Sequence, residues 1–590
     1  MKHVLNRAFL GNYDFGMIAS LLGLVGLLVG CGSNTDFSMP NVLLIVADDQ
    51  GYGDVGFHDN EIIDTPVLDR LASESVEFTR FYVSPVCAPT RASLLTGRYH
   101  LATGTRWVTH REEVMREEEV TLAELFGAYG YRTGLFGKWH NGKQFPHDPN
   151  GQGFQEFFGF TEGHLNNYFD AKQIHNQVVE PTKGYLPDVL TDKALGFMNK
   201  EEPFFAMVSF NTPHSPFQVP DTYFDKYKDK GLNDKNASVY GMVENIDDNV
   251  GRLLKALQKT GKDKNTIVIF MSDNGPNGIR YNANLKGIKS HVDEGGVRSP
   301  FLVRYPNKGW VSKTIDDPIA HIDLLPTLAE VIGLTVPDSI RIHGRSVVPL
   351  VQGEPLEERF LFTHQVVRKF DTIPAAVRKG NWLLTIKPRD TALFNLEVDP
   401  YQKNNLFENK LEKASQFLNA YRIWFAQVNA DYNGKTKIQI GHPGIPKVEF
   451  PTQEAVSYLQ TTFRGKQGWA NDFFTQWSDS SRASWDFDSK GIESYEVYVE
   501  MSGQVKDAGV VNLRMVNQSL QGSITAILTK SKIESPDRVP RGEVYAYDWP
   551  RIYVGDFRST QGENMISLST TGLMNAEIKS IQFILKEEKK

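Results

Sequence analysis

Four apolar runs each end on residues able to do chemistry. Asp48 and Asp49 follow Val42–Ala47, Lys138 and His140 follow Thr133–Phe136, and Asp273 and Asn274 follow Thr266–Met271. His214 follows Phe204–Phe210 through the turn Asn211-Thr212-Pro213. In an open α/β sheet ligands bind beyond the carboxyl ends of the strands, so four separate strands would deliver these side chains to one edge. Cys87-Ala88-Pro89-Thr90-Arg91 adds a thiol. Pro89 suits the first position of a helix and Gly97 its end. Cys87 then sits just before a helix N-terminus, where free amides and the helix dipole favour negative charge. Arg91, four positions on, returns along the helix face toward residue 87.

These side chains need a scaffold, and the hydrophobic pattern predicts one. Val42–Ala47, Thr133–Phe136, Phe204–Phe210, Thr266–Met271 and Phe301–Val303 read as buried parallel strands of an α/β domain over residues 41–335, with helices between them. One helix carries Met242, Ile246, Val250, Leu253, Leu254 and Leu257 on one face and stops before Gly261; another runs from Thr121 to Tyr129. Residues 336–432 read as a C-terminal subdomain with a small antiparallel sheet, 433–459 as a linker, and 460–590 as a β-sandwich built from alternating runs.

At 590 residues, with 40% apolar and 23% charged residues, the chain can bury several cores. A formal net charge of −7 argues against nucleic acid as a partner. It leaves an anionic small substrate open, because local field sets a pocket. Two cysteines, Cys31 and Cys87, make no disulfide framework. Lys2 and Arg7 precede the uncharged run Met17–Gly30, too short to span a bilayer comfortably, so residues 1–30 read as a signal peptide. Leu28-Val29-Gly30-Cys31 resembles the lipobox of bacterial lipoproteins, with cleavage before Cys31, lipid on that cysteine and 31–40 as a tether. Each buried methylene of the lipid adds about 0.8 kcal/mol of membrane affinity. The other reading is a plain secretory signal with an incidental cysteine. Both place the mature protein outside the cytoplasm.

The Cys87–Arg98 stretch resembles the activation sequence of the formylglycine-dependent sulfatases. The likeness extends over roughly residues 41–430 through Asn41–Gly56, Gly134–His140, Thr212–Pro216, Ser272–Gly275, Leu285–Lys289 and Glu294–Arg298. It implies an alkaline-phosphatase-like fold, in which a large mixed sheet lies between helices beside a small C-terminal sheet. It also implies that a separate maturation enzyme oxidises Cys87 to formylglycine, whose hydrate attacks sulfur with one oxygen and expels sulfate with the other. By the same likeness Asp48, Asp49, residue 87, Asp273 and Asn274 ligate a divalent cation, and Lys138 and Lys289 bind sulfate oxygens. His140 hydrogen-bonds the diol and takes its proton, His214 is a general acid near the leaving oxygen, and Arg91 orients the formylglycine. Hard oxygen donors suit Ca²⁺ or Mg²⁺ better than zinc, and Ca²⁺ tolerates irregular geometry best. Taken alone, an Asp-Asp pair after a strand reads as capping before it reads as a metal site; Asp273-Asn274 in the equivalent position on another strand turns the reading to metal. Lys286 is expected to be merely solvated. His140-Asn141-Gly142 departs from the family's His-Leu-Gly, which predicts an altered pocket rim.

A lipid-anchored sulfatase with an appended sheet domain points to a sulfated polysaccharide or its oligosaccharides, with ulvan, carrageenan, fucoidan and glycosaminoglycans as candidates. His100, Arg106, Trp107 and His110, in the loop after the Cys87 helix, are candidate subsite residues, against surface-loop residues as the plain alternative. Trp469, Trp477 and Trp485 are candidate glycan contacts on the C-terminal domain, against a purely structural buttress. Two other functions stay open: a phosphonate or phosphodiester hydrolase on the same fold, and a non-catalytic glycan-binding lipoprotein.

Overall fold

The computed structural model describes residues 39–586, apart from 202, 367–368, 431 and the side chain of 506. The predicted signal peptide, Cys31 and most of the tether lie outside the described residues. A ten-stranded mixed sheet forms the first domain. Its strands are β1 (Asn41–Ala47), β2 (Val76–Phe78), β3 (Arg132–Lys138), β4 (Glu156–Phe160), β5 (Lys172–His175), β6 (Val178–Pro181), β7 (Phe204–Ser209), β8 (Thr266–Ser272), β9 (Phe301–Arg304) and β10 (Lys313–Ile315). They lie in the order β10-β2-β9-β8-β1-β7-β3-β4-β5-β6. The stretch β8-β1-β7-β3-β4 is parallel, and antiparallel β9 and β5 flank it.

Residues of β1, β7 and β8 are buried throughout, as expected of parallel strands covered on both faces. Their two-residue alternation feeds two cores. Val42, Leu44 and Val46 pack in one core, and Leu43 and Ile45 in the other. The first core is closed by helices α1 (Cys87–Thr96) and α2 (Leu122–Ala128), the second by α3 (Asp234–Lys259). Thr121 and Glu124 form a capping box that starts α2. On α3 the predicted apolar face is buried, with Met242, Ile246, Val250, Leu253 and Leu257 in the core. Helix α1 begins at Cys87, with Val86 as its N-cap and left-handed Gly97 at its end. Cys87 is therefore the first residue of the helix, two places earlier than Pro89 suggests.

The small C-terminal sheet follows as β11 (Leu361–His364), β12 (Ala375–Lys379), β13 (Trp382–Lys387) and β14 (Asp390–Asn395), antiparallel and in chain order. Helix α4 (Leu411–Asn429) packs in the same core through Phe417, Tyr421 and Trp424. A sheet-rich domain closes the chain, organised by the antiparallel pair Ser494–Arg514 and Gly562–Leu585. Residues 433–459, read above as a linker, contribute strands to it. Ile438–Ile440 pairs with Arg482–Ser489, and Lys447–Pro451 pairs with Gly562–Leu585. Trp477 and Trp485 are core residues of this domain and offer no surface to a glycan.

Several histidines are buried as neutral rings, and burial pushes their pKa far down. His100 and His321 fall to about 3 and His364 to about 4. His321 Nδ1 donates to Tyr82 O (3.0 Å), which leaves Nε2 to accept from Ser84 Oγ (3.2 Å), under the segment that leads into α1. The unfolded chain protonates near 6.5, so it gains protons first as pH falls. Each ring then withdraws roughly 1.4 kcal/mol of stability per pH unit below 6.5, until its folded value is reached. The melting temperature is expected to fall steadily between pH 6.5 and 5; a flat profile there would contradict the burial of these rings as neutral groups.

Candidate active site

The neighbouring strands β8, β1, β7 and β3 end side by side, and each chain continues into the site. Asp48 and Asp49 leave β1, Asp273 and Asn274 leave β8, Lys138 ends β3, and His214 lies beyond β7. The Asp48 amide donates to Thr212 O (3.0 Å), which ties the β1 and β7 exits together. Asp49 and His140 hold left-handed backbone, with φ of 68° and 69°, a strained state for side-chain-bearing residues that persists where neighbours over-determine it. At Asp49 the restraints are visible: its amide donates to Asp273 Oδ1 (3.2 Å) and Asn274 Nδ2 donates to its Oδ1 (2.8 Å).

Three carboxylates face three cations here. Lys138 Nζ lies 2.6 Å from Asp48 Oδ2, Lys289 Nζ 2.6 Å from Asp49 Oδ1, and Arg91 Nη2 2.7 Å from Asp273 Oδ2. Arg91 Nη1 also donates to Lys138 O (3.1 Å) and Ser209 Oγ (2.5 Å). The guanidinium thus joins α1 to three strand ends. Burial pushes the Asp48 carboxyl up, with Lys138 opposing. At Asp49 burial acts in the same sense, but Lys289 and His214 outweigh it and hold the carboxyl well below the usual range. Burial raises the Cys87 thiol, against the pull of Lys138 and Lys289.

Ligand atoms of Asp48, Asp49, Cys87 and His214 lie within 4.8 Å of one another. Asp48 Oδ1 and Asn274 Oδ1 are buried with no hydrogen-bond partner. Orphaned buried oxygens beside a carboxylate cluster fit a hard divalent cation, which would satisfy both. Asp273, expected as a ligand, turns Oδ2 to Arg91 and Oδ1 to the Asp49 amide. His214 lies beside the same cluster, with Nε2 3.7 Å from Asp49 Oδ2.

The two histidines carry different protons. His140 Nε2 lies 2.9 Å from Val108 O, so it bears the hydrogen, and the buried Nδ1 keeps a free lone pair. Burial, then Lys138, hold this ring well below its ordinary pKa, which leaves it neutral and able to accept a proton. His214 Nδ1 donates to Ser215 O (2.5 Å), leaving Nε2 toward Asp49. Burial and Lys289 lower its pKa to about 4 while Asp49 pulls the other way. Gly163 makes room for His140: a Cβ there would come within 2.2 Å of Nε2 and 2.3 Å of Cε1. Gly163→Ala is therefore expected to displace the ring, cut kcat by roughly 10–100-fold and cost about 1–3 kcal/mol of stability; full activity in steady-state assays would refute the fit.

Above Cys87 lies a cavity of about 480 Å³, lined by Cys87, His140, His214 and Lys289. Lys138 is fully buried behind Asp48 and outside that lining. Trp107 and His110 line the cavity as expected. His100 and Arg106 do not. His100 Nδ1 is tied to Thr105 O (2.7 Å), and the Arg106 guanidinium is held between the rings of Phe370 (3.9 Å) and Tyr432 (3.1 Å). Lys286 points away, over the Phe394 ring. The C-terminal domain adds wall residues that the sequence patterns did not single out for this site, including Glu454 and Glu543, together with Trp469.

Fold and site together define an ester hydrolase for a tetrahedral oxyanion. A sulfatase family model matches residues 40–334, and a model described as N-sulphoglucosamine sulphohydrolase, C-terminal, matches 288–420. The chain is 31% identical over 404 residues to an ulvan-active sulfatase of Formosa agariphila, across 62% of this chain and 77% of that one. It is 28% identical over 455 residues to arylsulfatase J of Mus musculus, across 70% and 74%. The crystal structure of Ps i-CgsB in complex with k-i-k-neocarrahexaose superposes with a TM-score of 0.62 at 30% identity, covering 66% of this chain and 93% of that one. The chain belongs to the sulfatase family and is a sulfuric ester hydrolase.

Proposed function

We propose that the protein removes sulfate from a sulfated polysaccharide or its oligosaccharides, with algal glycans such as ulvan favoured, using formylglycine made from Cys87 and a Ca²⁺ ion. The cavity carries this reading. At about 480 Å³, with aromatic walls, it accommodates a sugar-sized ligand directly above residue 87. The ulvan-active relative and the carrageenan-oligosaccharide complex support a glycan substrate.

Asp48, Asp49, Asn274 and residue 87 would hold the cation, with Asp273 behind them. When bound, the cation lowers the pKa of an attacking oxygen and polarises the sulfate. Formylglycine supplies, as its hydrate, an oxygen nucleophile and a second hydroxyl that a thiol lacks. The chain's own groups then divide the work. Lys289, in the cavity wall, spends donors on Asp49 and has others for a sulfate oxygen. Lys138 adds positive charge from beneath Asp48. His140 Nδ1 is free to take a proton from residue 87. His214 Nε2, beside Asp49 in the cavity wall, is the group assigned to the leaving sugar oxygen; because burial and Lys289 hold the free ring neutral, it acts as an acid only after taking up a proton when the anionic substrate binds. Arg91 fixes the start of α1 against the strand ends.

Three measurements test the reading. Peptide mass across residue 87 should show the CH₂–SH group replaced by an aldehyde. EGTA should abolish activity, and Ca²⁺ should restore it better than Mg²⁺. Sulfate release from a panel of sulfated oligosaccharides should exceed phosphonate hydrolysis; faster turnover of a phosphonate ester than of every sulfated sugar would overturn the assignment. The motif Leu28-Val29-Gly30-Cys31 supports an extracytoplasmic protein anchored through lipid on Cys31. Cys31→Ala should move the protein from the membrane fraction to the soluble one.

A further inference from the structure

Trp469 is 41% exposed, whereas Trp477 and Trp485 are 1% and 0% exposed. It belongs to the C-terminal domain, yet it lines the cavity over Cys87 together with Trp107 of the catalytic domain. A large aromatic left open to solvent is informative when its backbone is fixed, because a pre-set flat surface binds at low entropic cost.

The Trp469 loop is fixed from within and from across the domain boundary. Asp472 accepts from the amides of Gly465 and Gly468 (both 3.0 Å), which folds the loop back on itself. Gln453 Nε2 donates to Trp469 O (3.2 Å). From the catalytic domain, His110 reaches Gln453 O (2.8 Å) and Gln467 O (3.0 Å) with its two ring nitrogens. Gly468 allows this approach. Its φ is +64°, and a Cβ there would come within 2.6 Å of His110 Cε1. Beside this contact Arg111 Nη1 meets Glu454 Oε2 at 2.8 Å, with both side chains buried. At another part of the cavity wall Ser215, next to His214, donates to Glu543 Oε1 (3.0 Å), and the Arg538 amide donates to Phe217 O (3.0 Å). The C-terminal domain is therefore held in register with the reacting groups at two separate places.

We infer that Trp469 and Trp107 form a stacking subsite for a sugar ring of the substrate, and that the C-terminal domain thereby selects sulfated glycans over small aryl sulfates. The inference rests on the glycan-sulfatase reading above and adds a specificity-determining residue outside the 40–420 span matched by the family models. Apolar ring faces of a pyranose match indole in shape, and the polar rim from Glu454 and Glu543 suits its hydroxyls.

The test uses the full-length, matured, Ca²⁺-loaded protein and two probes. One is 4-nitrophenyl sulfate. The other is a mixture of sulfated oligosaccharides cut from ulvan, carrageenan, fucoidan and chondroitin sulfate. The readout is the ratio of kcat/KM on oligosaccharides to kcat/KM on the aryl sulfate. Trp469→Ala is expected to lower that ratio about tenfold or more, mainly through KM, and Trp469→Phe to hold it near the wild-type value. Should Trp469→Ala fail to fold, Trp107→Ala on the other domain carries the same expectation. An unchanged ratio, whether both rates fall or neither does, overturns the inference. Wild-type protein that cleaves the aryl sulfate and no oligosaccharide overturns the glycan reading itself, and wild-type protein that cleaves neither overturns the sulfate-ester mechanism beneath both.

Discussion

Cys87→Ala abolishes sulfate release, with kcat expected to fall by about 10⁴-fold or more. Residue 87 opens α1 under the cavity, within 4.8 Å of the Asp48, Asp49 and His214 ligand atoms. The unmodified thiol is itself unsuited to attack. Burial raises its pKa from 9.0 despite two nearby lysines, so at neutral pH it stays protonated. Protein made without a maturation enzyme should therefore be as inactive as the alanine variant, and its peptide mass should still show the thiol. Removing a small side chain from the first turn of α1 leaves the core intact, so the melting temperature should barely move. Sulfate release at the wild-type rate from the alanine variant would end the assignment of residue 87 as nucleophile.

Arg91→Met is expected to be the most damaging single change to stability, at about 3–5 kcal/mol. Asp48, Asp49 and Asp273 are balanced by Arg91, Lys138 and Lys289. Methionine fills much of the volume but leaves the buried group one positive charge short of balance. Asp273 suffers most, because burial already pushes its carboxyl up and Arg91 contributes both the Nε (3.1 Å) and Nη2 (2.7 Å) hydrogen bonds. The loss should show in denaturant unfolding as a lower midpoint. It should be smaller in Ca²⁺ than in chelator, since a divalent cation would offset the surplus charge. An equal loss in both solutions would argue against a cation beside Asp48 and Asp49.

Much of the site was legible because its residues sit at strand ends. An apolar run of six or seven residues announces a buried parallel strand, and the polar residue that stops it must lie at the sheet edge. Asp48, Lys138, His214 and Asp273 follow this rule and converge as expected. Backbone detail was not legible: nothing in the residue types shows that Asp49 and His140 are left-handed. Arg106 was misplaced because Phe370 and Tyr432, which enclose its guanidinium, stand hundreds of positions away in the chain. Residues 433–459 looked like a linker because their strands are short and interrupted by glycine and proline, and their partners come much later. Trp485 was readable in hindsight, because Ala483, Trp485 and Phe487 alternate along Arg482–Ser489 on the inner face. Trp469 was legible as a candidate glycan contact, but its place in the wall over residue 87 shows only in space.

The reacting atoms sit on strand ends of the first domain, whereas part of the cavity wall comes from the C-terminal domain, joined to it by hydrogen bonds and ion pairs that include His110–Gln467, Ser215–Glu543 and Arg111–Glu454. Wall positions that bond neither the strand ends nor their loops can change without disturbing hydrolysis. An ancestor with this arrangement could change diet by altering two loops, and a laboratory library confined to residues 465–472 and 535–546 explores the same route.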